Sequence, residues 1–407
     1  MREREGPGFR DILRIPEIRA AMLGTFVIMM GFGILSPVLP KYARSFGVGF
    51  DSVGVLVASF SLTRLVFDPV TGRLIHRFGE RAMASLGALV VGVTSVFAGF
   101  APTFTLLVIF RAAGGAGSAV FFAAVLSFLL RTIPSDRLGR VMSVYYASFN
   151  VGIIAGQPFG GLLARWFGLA SPLFVYGAFC VVSGWVFWRT IYDPPRAPEE
   201  HPAGGIRRLP WTRAFVTALA TNGAYLWMVG AVYSTLVPLF GNEPTGVGVS
   251  LSGVGIGLAI ASATEFAVLY PAGAATDRHG RKAVLVPSFV AMTIVIAVFG
   301  FATTPLLYFG ILGIFGLTTG YSGVPPAAML SDVAPDELRG TAVGLFRFVG
   351  DLGFVLGPLA AGWAASAFGF AWAFAISAIP SALVVVLLLS IEETMPALPH
   401  TGEATGL

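Results

Sequence analysis

The sequence predicts an all-α membrane protein with twelve transmembrane helices in two pseudo-symmetric six-helix bundles. Three observations predict this fold: a composition too apolar for water, twelve separate apolar runs, and a repeat of the chain on itself. Apolar residues make up 56% of the 407 residues, charged residues make up 12%, and the mean hydropathy is +0.81. Because a soluble domain carries about 25% charged residues, lipid must solvate much of this chain.

Each apolar run is long enough to cross about 30 Å of hydrocarbon as a helix. The runs are continuous and do not alternate, which favours helices over a closed barrel. They cover residues 20–40, 52–71, 82–100, 104–130, 141–163, 171–190, 214–240, 250–272, 283–302, 306–330, 341–363 and 371–390. The pattern predicts an N-terminal bundle at 1–190, a C-terminal bundle at 214–407, and a polar cytoplasmic linker at 191–213.

The basic residues predict the orientation in the membrane. Twenty of the 26 Lys and Arg residues fall in the N-terminal segment, the even-numbered loops or the linker. This bias predicts that both termini are cytoplasmic in the cell (inner) membrane. The same clustering explains the net charge of +5 without a nucleic-acid partner. The basic N-terminus precedes a full-length span, so we expect a retained tail and not a removed signal peptide.

A shift of 201 residues brings several landmarks of the chain into register. Pro37 meets Pro238, and Pro134 meets Pro335. The segment 72–79 meets 273–280, and the glycines of 152–161 meet those of 353–362. Parallel repeats of this kind occur in one class of transporter.

These residues carry a resemblance, over nearly the whole chain, to the major facilitator superfamily of transporters, and within it to the twelve-span drug:proton antiporter branch. The loop after the second span is similar to the family pattern G-x-L-x-D-R-x-G-R-R, with His76 at the Asp position and Glu80 at the first Arg. Arg111 matches the family's fourth-span Arg. The matching loop residues are Gly72, Arg77, Gly79 and Arg81, and in the second half Gly273, Asp277, Arg278, Gly280 and Arg281.

The fifth span resembles the antiporter motif G-x-x-x-G-P-x-x-G-G, and the eleventh span carries a second version of it. Gln157 stands where the family has Pro, and Pro158 follows it. The motif residues are Gly152, Gly156, Pro158 and Gly161, with Gly357 and Pro358 in the second half. The resemblance implies that the helices bend here, while close helix packing is the plainer alternative.

The resemblance also implies that the loop residues form a latch between the halves, which Arg64 and Asp68 join. A topology anchor at the anionic leaflet is the alternative interpretation.

Ionisable residues inside the spans give the sharpest functional hypothesis, because charge in hydrocarbon should face a cavity or a partner. Glu265 and Asp351 are candidates for proton exchange or for binding a cationic group. Arg347 lies one turn before Asp351, and Arg64 lies one turn before Asp68, so local ion pairs are the structural alternative. Arg111 requires a partner from another helix or an anionic ligand.

Polar side chains in the spans are candidates for the wall of a cavity, because their polar atoms need partners inside the membrane. These candidates are Tyr146, Asn150, Asn222, Tyr225, Tyr233 and Tyr321.

These observations predict a secondary active transporter that exchanges protons for small amphipathic or lipophilic compounds by alternating access. No metal site, cofactor, ATP-binding loop or nucleophile elbow is evident, so we expect no enzyme activity. The expected partners are a small-molecule substrate, protons and the lipid bilayer, and we expect a monomer. The alternatives are a metabolite or lipid carrier, working as a symporter or uniporter, and a membrane receptor or scaffold.

Overall fold

The computed structural model describes residues 16–133, 135–194 and 205–395, and the regular secondary structure of this part of the chain is all helical, without strands. Eleven of its long helices are long and apolar enough to cross a membrane. The fifth, α5, is the exception because Tyr145, Tyr146, Asn150 and Gln157 interrupt its apolar run. The twelve helices are α1 Pro16–Leu35, α2 Phe50–Phe78, α3 Glu80–Gly99, α4 Phe104–Thr132, α5 Ser135–Phe167, α6 Ser171–Thr190, α7 Arg213–Asn242, α8 Leu251–His279, α9 Arg281–Phe299, α10 Pro305–Val333, α11 Asp336–Phe368 and α12 Phe370–Leu389.

The described helices match the twelve runs expected from the sequence. The predicted N-terminal tail, the middle of the linker and the C-terminal tail lie outside the described residues. Between α6 and α7 the structure describes 191–194 and 205–212, which include a short turn at Ile206–Arg208.

Hydroxyl side chains set the first turn of several helices. Thr103 Oγ1 accepts a hydrogen bond of 3.3 Å from Leu106 N at the start of α4. Thr304 does the same for Leu307 N at the start of α10, again at 3.3 Å. These N-caps satisfy backbone donors that the helix itself leaves open. They are also 201 residues apart, so the repeat extends to the helix caps.

Two helices are interrupted. In α7 the stretch Val229–Leu236 is a π-helix, in which Ser234 and Thr235 hydroxyls bond to carbonyls five residues earlier. In α10 the chain bends at Val324, where Pro325 begins a new helical segment to Val333. Such irregular backbone is tolerated at membrane depth where it is buried in protein or lines a cavity, and Val229 lines the central cavity.

Two equivalent interfaces join the halves: α2 packs on α11, and α5 packs on α8. At the first, a Cβ added at Gly54 would overlap the carbonyl oxygen of Pro358. At the second, a Cβ added at Gly255 would overlap the carbonyl oxygen of Gln157. Gly255 lies 201 residues after Gly54, and Pro358 lies 201 residues after Gln157. The pseudo-symmetry therefore extends to the backbone contacts between the halves.

We call the side where α1 begins and α12 ends the terminal face, and the other side the opposite face. At the opposite face, polar contacts also connect the halves. Glu243 of the C-terminal half lies 3.5 Å from Arg44 Nε and 3.9 Å from Lys41 Nζ. The backbone N–H of Asp51 donates to Ser366 Oγ at 3.0 Å. The halves are therefore in close contact at this face.

Candidate functional site

A cavity of about 360 Å³ lies between the two halves. Its wall is rich in aromatic and aliphatic side chains, including six phenylalanines and two methionines. The predicted residues Glu265, Arg111, Asn150 and Tyr225 line it, and so do Arg64 and Tyr233. The lining residues are Met29, Phe32, Leu35, Ser36, Leu39, Val57, Phe60, Ser61, Arg64, Arg111, Ser118, Phe122, Phe149, Asn150, Ile153, Tyr176, Tyr225, Leu226, Met228, Val229, Tyr233, Ser234, Ser262, Glu265, Phe315, Thr319 and Phe354.

Glu265 of α8 places a carboxyl group on the wall of this cavity. The Tyr225 hydroxyl donates a hydrogen bond of 2.8 Å to Glu265 Oε1. Among the ion pairs of the described residues, none includes Glu265. A carboxyl group without a cationic partner, in an apolar wall, can take up or release a proton as its surroundings change.

Arg111 of α4 lies on the same wall and is 4% exposed. Its guanidinium stacks over the Phe60 ring, with 4.6 Å between the guanidinium carbon and the ring centroid. Its Nε atom is buried without a hydrogen-bond partner. From the sequence, we expected an acid from another helix or an anionic ligand as the partner of Arg111. The described part of the chain provides no such acid.

Asp351 of α11 pairs with Arg64 of α2, across the interface between the halves. Asp351 is 6% exposed and the Arg64 side chain is 30% exposed, so the ion pair is partly buried. The structure thus replaces the local Arg347–Asp351 pair considered from the sequence, because Arg347 is exposed and Asp351 bonds to the other half. Asp68, one turn beyond Arg64, lies among Arg347, Arg64 and Asp351.

A polar cluster of Gln157, Tyr233 and Ser262 joins α5 to α7 and α8. The Gln157 amide nitrogen bonds to the Tyr233 hydroxyl and lies 3.4 Å from Ser262 Oγ. The two hydroxyl oxygens are 2.7 Å apart. Gln157 is fully buried, so its two partners, both on the other half, satisfy its amide nitrogen. Sequence reasoning marked Gln157 only as a motif departure and missed Ser262, because their proximity depends on how the halves pack.

The other predicted pocket residues lie away from the lining. Tyr146 is 52% exposed, and its carbonyl accepts from Asn150 Nδ2 at 2.8 Å. Asn222 Nδ2 donates to the Phe346 carbonyl at 2.8 Å, joining α7 to α11. Tyr321 of α10 is not among the lining residues.

The loop motifs make equivalent contacts inside each half. Gly79 and Gly280 have positive φ angles of 87° and 95°, which glycine adopts without strain. The Arg81 backbone N–H donates to Asp193 Oδ1 at 2.9 Å, and that of Arg281 donates to Glu393 Oε1 at 2.8 Å. A carboxylate thus caps the first turn of α3 and of α9.

The Glu80 departure from the family pattern has a physical explanation in the structure. Glu80 is buried and bonds to Arg131 of α4 at 2.5 Å. At the equivalent place in the second half, Arg281 bonds to Asp332 of α10 at 2.9 Å. The two pairs are 201 residues apart with the charges exchanged, so Glu80 preserves the ion pair with reversed polarity.

The remaining latch residues lie at the terminal face. His76, Arg77 and Arg278 are exposed. Asp277 is exposed too and pairs with Arg281 at 3.3 Å. A Cβ at Gly72 or Gly273 would meet open space, so neither glycine is required by close packing here.

The predicted bend motif packs helices closely inside each half. Added Cβ atoms at Gly152 and Gly156 would collide with the backbone of α1, and one at Gly357 with the backbone of α7. Gly161 instead meets the backbone of α8 at residues 251–252, across the halves. Pro158 and Pro358 lie inside α5 and α11. These contacts explain the glycines by close packing, and a flexing role stays a prediction.

No group of three or more His, Cys, Asp or Glu side chains that could hold a metal ion occurs within 16–133, 135–194 and 205–395.

Comparison with known proteins identifies the family. The model of the Major Facilitator Superfamily matches residues 21–268 and 244–406. The tetracycline resistance protein, class C, of Escherichia coli is 32% identical over 86% of this chain and 91% of its own length. The chain belongs to the Major Facilitator Superfamily. It is accordingly a multi-span membrane transporter and not an enzyme.

Other members of the superfamily resemble the chain in part. The quinolone resistance protein NorA of Staphylococcus aureus is 24% identical over 83% of the chain and 87% of its own length. Multidrug resistance protein 1 of Bacillus subtilis is 28% identical, over 44% of the chain and 46% of its own length.

Solved structures confirm the fold. A bacterial homologue of the human lysosomal transporter Spinster, in an inward-facing conformation, aligns with a TM-score of 0.74 at 18% identity, covering 92% of this chain and 94% of that one. A nucleoside transporter aligns with a TM-score of 0.75 at 14% identity, covering 92% of this chain and 99% of that one. At these identities the likeness is one of fold alone.

Proposed function

We propose that this transporter exports small amphipathic compounds in exchange for protons, as a monomer in the cell (inner) membrane with both termini cytoplasmic. One observation carries the proposal: the Glu265 carboxyl group lies on the wall of an aromatic-rich cavity, with a tyrosine hydroxyl and, among the described residues, no cation as its partner. A charged side chain in a membrane interior marks an ion or substrate pathway unless it is paired.

The proton step uses Glu265 and Tyr225. When the cavity faces the outer side, Glu265 takes up a proton, and its neutral form suits the apolar wall. When the cavity faces the cytoplasm, the proton leaves, and the carboxylate, held by Tyr225, attracts the cationic part of a substrate. Proton and substrate compete for the Glu265 carboxyl group. The protein therefore carries substrate outward in exchange for a proton carried inward.

The conformational step uses the two interfaces between the halves. With the terminal face assigned to the cytoplasm, the glycine contacts and the Arg44–Glu243 pair close the outer side. The described state is then inward-facing. Opening to the outside requires that the α2–α11 and α5–α8 contacts separate at the opposite face, which also separates Arg64 from Asp351. Rigid rocking of two bundles around a central site is the motion expected of such repeats.

The names of the relatives support efflux as the direction, because three of them are drug resistance proteins. The cavity supports amphipathic substrates, because its wall is largely aromatic and aliphatic with few polar groups. A metabolite carrier without proton coupling is the second candidate, and the presence of Arg64 and Arg111 on the same wall favours it.

The test reconstitutes the purified protein in liposomes with an internal pH dye. A pH gradient is imposed, and aromatic cations and zwitterions are added to wild type, Glu265→Gln and Asp351→Asn. We expect substrate-dependent proton flux in wild type and its loss in Glu265→Gln. Glu392→Gln, at an exposed carboxylate beyond α12, is the matched control. Substrate movement without proton flux in wild type would favour the uncoupled carrier. Movement of substrate and protons in the same direction would exclude exchange.

A further inference from the structure

We propose that the Arg111 guanidinium binds an anionic group of the substrate, so that the cavity selects amphipathic zwitterions with an aromatic body. The carboxylate of such a molecule would face Arg111, and its cationic group would face Glu265. This inference rests on the proposed function, since it names the substrate class of the same cavity.

Arg111 is a permanent buried charge without an acidic partner among the described residues. Its side chain is 4% exposed, and its Nε atom has no hydrogen bond. Its polar neighbours Tyr176 and Cys180 are neutral groups, and Phe60 offers only the face of its ring. Arginine is not deprotonated in proteins, so this positive charge persists in every state of the transport cycle.

The cation–π contact alone does not account for this burial. Such a contact contributes less free energy than it costs to remove a cation from water. In the described part of the chain, the open side of Arg111 is the cavity. A carboxylate entering the cavity would supply the charge-assisted hydrogen bonds that the guanidinium lacks.

The cavity wall carries charges of both signs. In the described part of the chain, its charged residues are Arg64, Arg111 and Glu265. Asp351 neutralises Arg64, which leaves a positive group on the N-terminal half and an acid on the C-terminal half. A simple cation would meet the uncompensated Arg111, and a simple anion would meet the Glu265 carboxylate. A molecule with a negative and a positive group would form a favourable contact with Arg111 and with Glu265.

The rest of the cavity wall is rich in aromatic rings. Phe60, Phe122, Phe149 and Phe315 line it, so the body of the molecule meets apolar surfaces. Aromatic rings stack well on such surfaces. The volume of about 360 Å³ lies within the range for small-molecule sites, so the cavity can hold one such molecule.

The test compares rhodamine B, which carries a carboxylate and a cationic ring system, with its ethyl ester, which lacks the carboxylate. Binding to the purified protein in nanodiscs is followed by fluorescence polarisation at pH 7.5 without a pH gradient. Because a hydrogen bond to a charged group contributes about 1.5–3 kcal/mol, we expect wild type to bind the acid about 10-fold or more tighter than the ester. Arg111→Gln should abolish this preference without weakening binding of the ester, because the ester is a cation that the charge of Arg111 opposes.

Two further variants make the result specific. Arg111→Lys retains the charge and should restore part of the preference for the acid. Arg207→Gln removes an exposed Arg outside the spans and should behave like wild type. If Arg111→Gln weakens acid and ester equally, the role is structural and the inference is wrong. It is also wrong if wild type binds the ester as well as the acid, or binds neither.

This outcome is separable from the outcome for proton exchange. A preference for the acid without proton flux would leave this inference standing and refute coupling through Glu265. Proton flux without any preference for the acid would support coupling through Glu265 and refute the role of Arg111.

Discussion

Substituting Gly54 with alanine should push the transporter toward its outward-facing state. The added Cβ would overlap the Pro358 carbonyl oxygen and lie 3.0 Å from the Pro358 carbonyl carbon, where ordinary contacts are 3.4–4 Å. Relieving this requires that α2 and α11 separate by roughly 1 Å, and overpacking of a close contact costs about 1–3 kcal/mol. That cost applies only while the opposite face is closed, so the ratio of outward to inward states should rise about 5- to 150-fold.

Accessibility of a cavity residue from outside measures this shift. Cys180 is the only cysteine and is buried, so Cys180→Ala gives a background without reactive thiols. Ser36→Cys then places a reporter where the cavity wall approaches the opposite face. Labelling by a membrane-impermeant maleimide in intact cells should be faster in Gly54→Ala than in its parent.

The pseudo-symmetry provides a second variant and a control. Gly255→Ala should act like Gly54→Ala, because its Cβ would overlap the Gln157 carbonyl oxygen and lie 3.0 Å from the carbonyl carbon. Gly344→Ala on α11 adds a Cβ in open space and should leave labelling unchanged. Equal labelling rates in Gly54→Ala and Gly344→Ala, with both proteins folded, would refute the reasoning.

Three further predictions follow from the polar contacts. Gln157→Leu and Tyr233→Phe should each speed the same labelling about fivefold, and the double variant should add little, because they remove one shared set of hydrogen bonds; additive effects would contradict the cluster. Asp351→Asn should destabilise the protein by about 1.5 kcal/mol, since it removes a charge-assisted hydrogen bond to the partly exposed Arg64, and adding Arg64→Gln should recover part of this in thermal unfolding. Burial raises the pKa of Glu393, but four backbone N–H groups lower it more, so its pKa lies below the ordinary value. The Glu393 contribution to stability is therefore complete above about pH 4.3 and lost as pH falls through the lowered pKa. The melting temperature of Glu393→Gln should fall less than that of wild type as the pH is lowered.

Controls for these variants come from neighbouring positions. Thr235→Val removes a hydroxyl that bonds only within α7, so labelling should not change. Glu392→Gln removes a carboxylate next to Glu393, and its melting temperature should follow wild type as the pH is lowered.

The sequence by itself predicted the twelve helices, the two halves and the family. These features are one-dimensional: hydropathy is a property of each segment, and the 201-residue repeat is a property of the order of residues. The burial cost of charge also identified Glu265 and Arg111 as candidates for the site, because that cost depends on depth along a helix and not on which neighbours are present. Both line the cavity.

The tertiary structure decided which side chains meet. Asp351 has Arg347 one turn away, yet it pairs with Arg64, 287 residues distant, because α2 and α11 lie side by side across the interface. The Gln157, Tyr233 and Ser262 cluster and the exchanged Glu80–Arg131 pair arise in the same way. Local sequence sets which face of a helix is polar, but the partner depends on distances of a few ångströms between helices far apart in the chain. Those distances are fixed only when the two bundles pack.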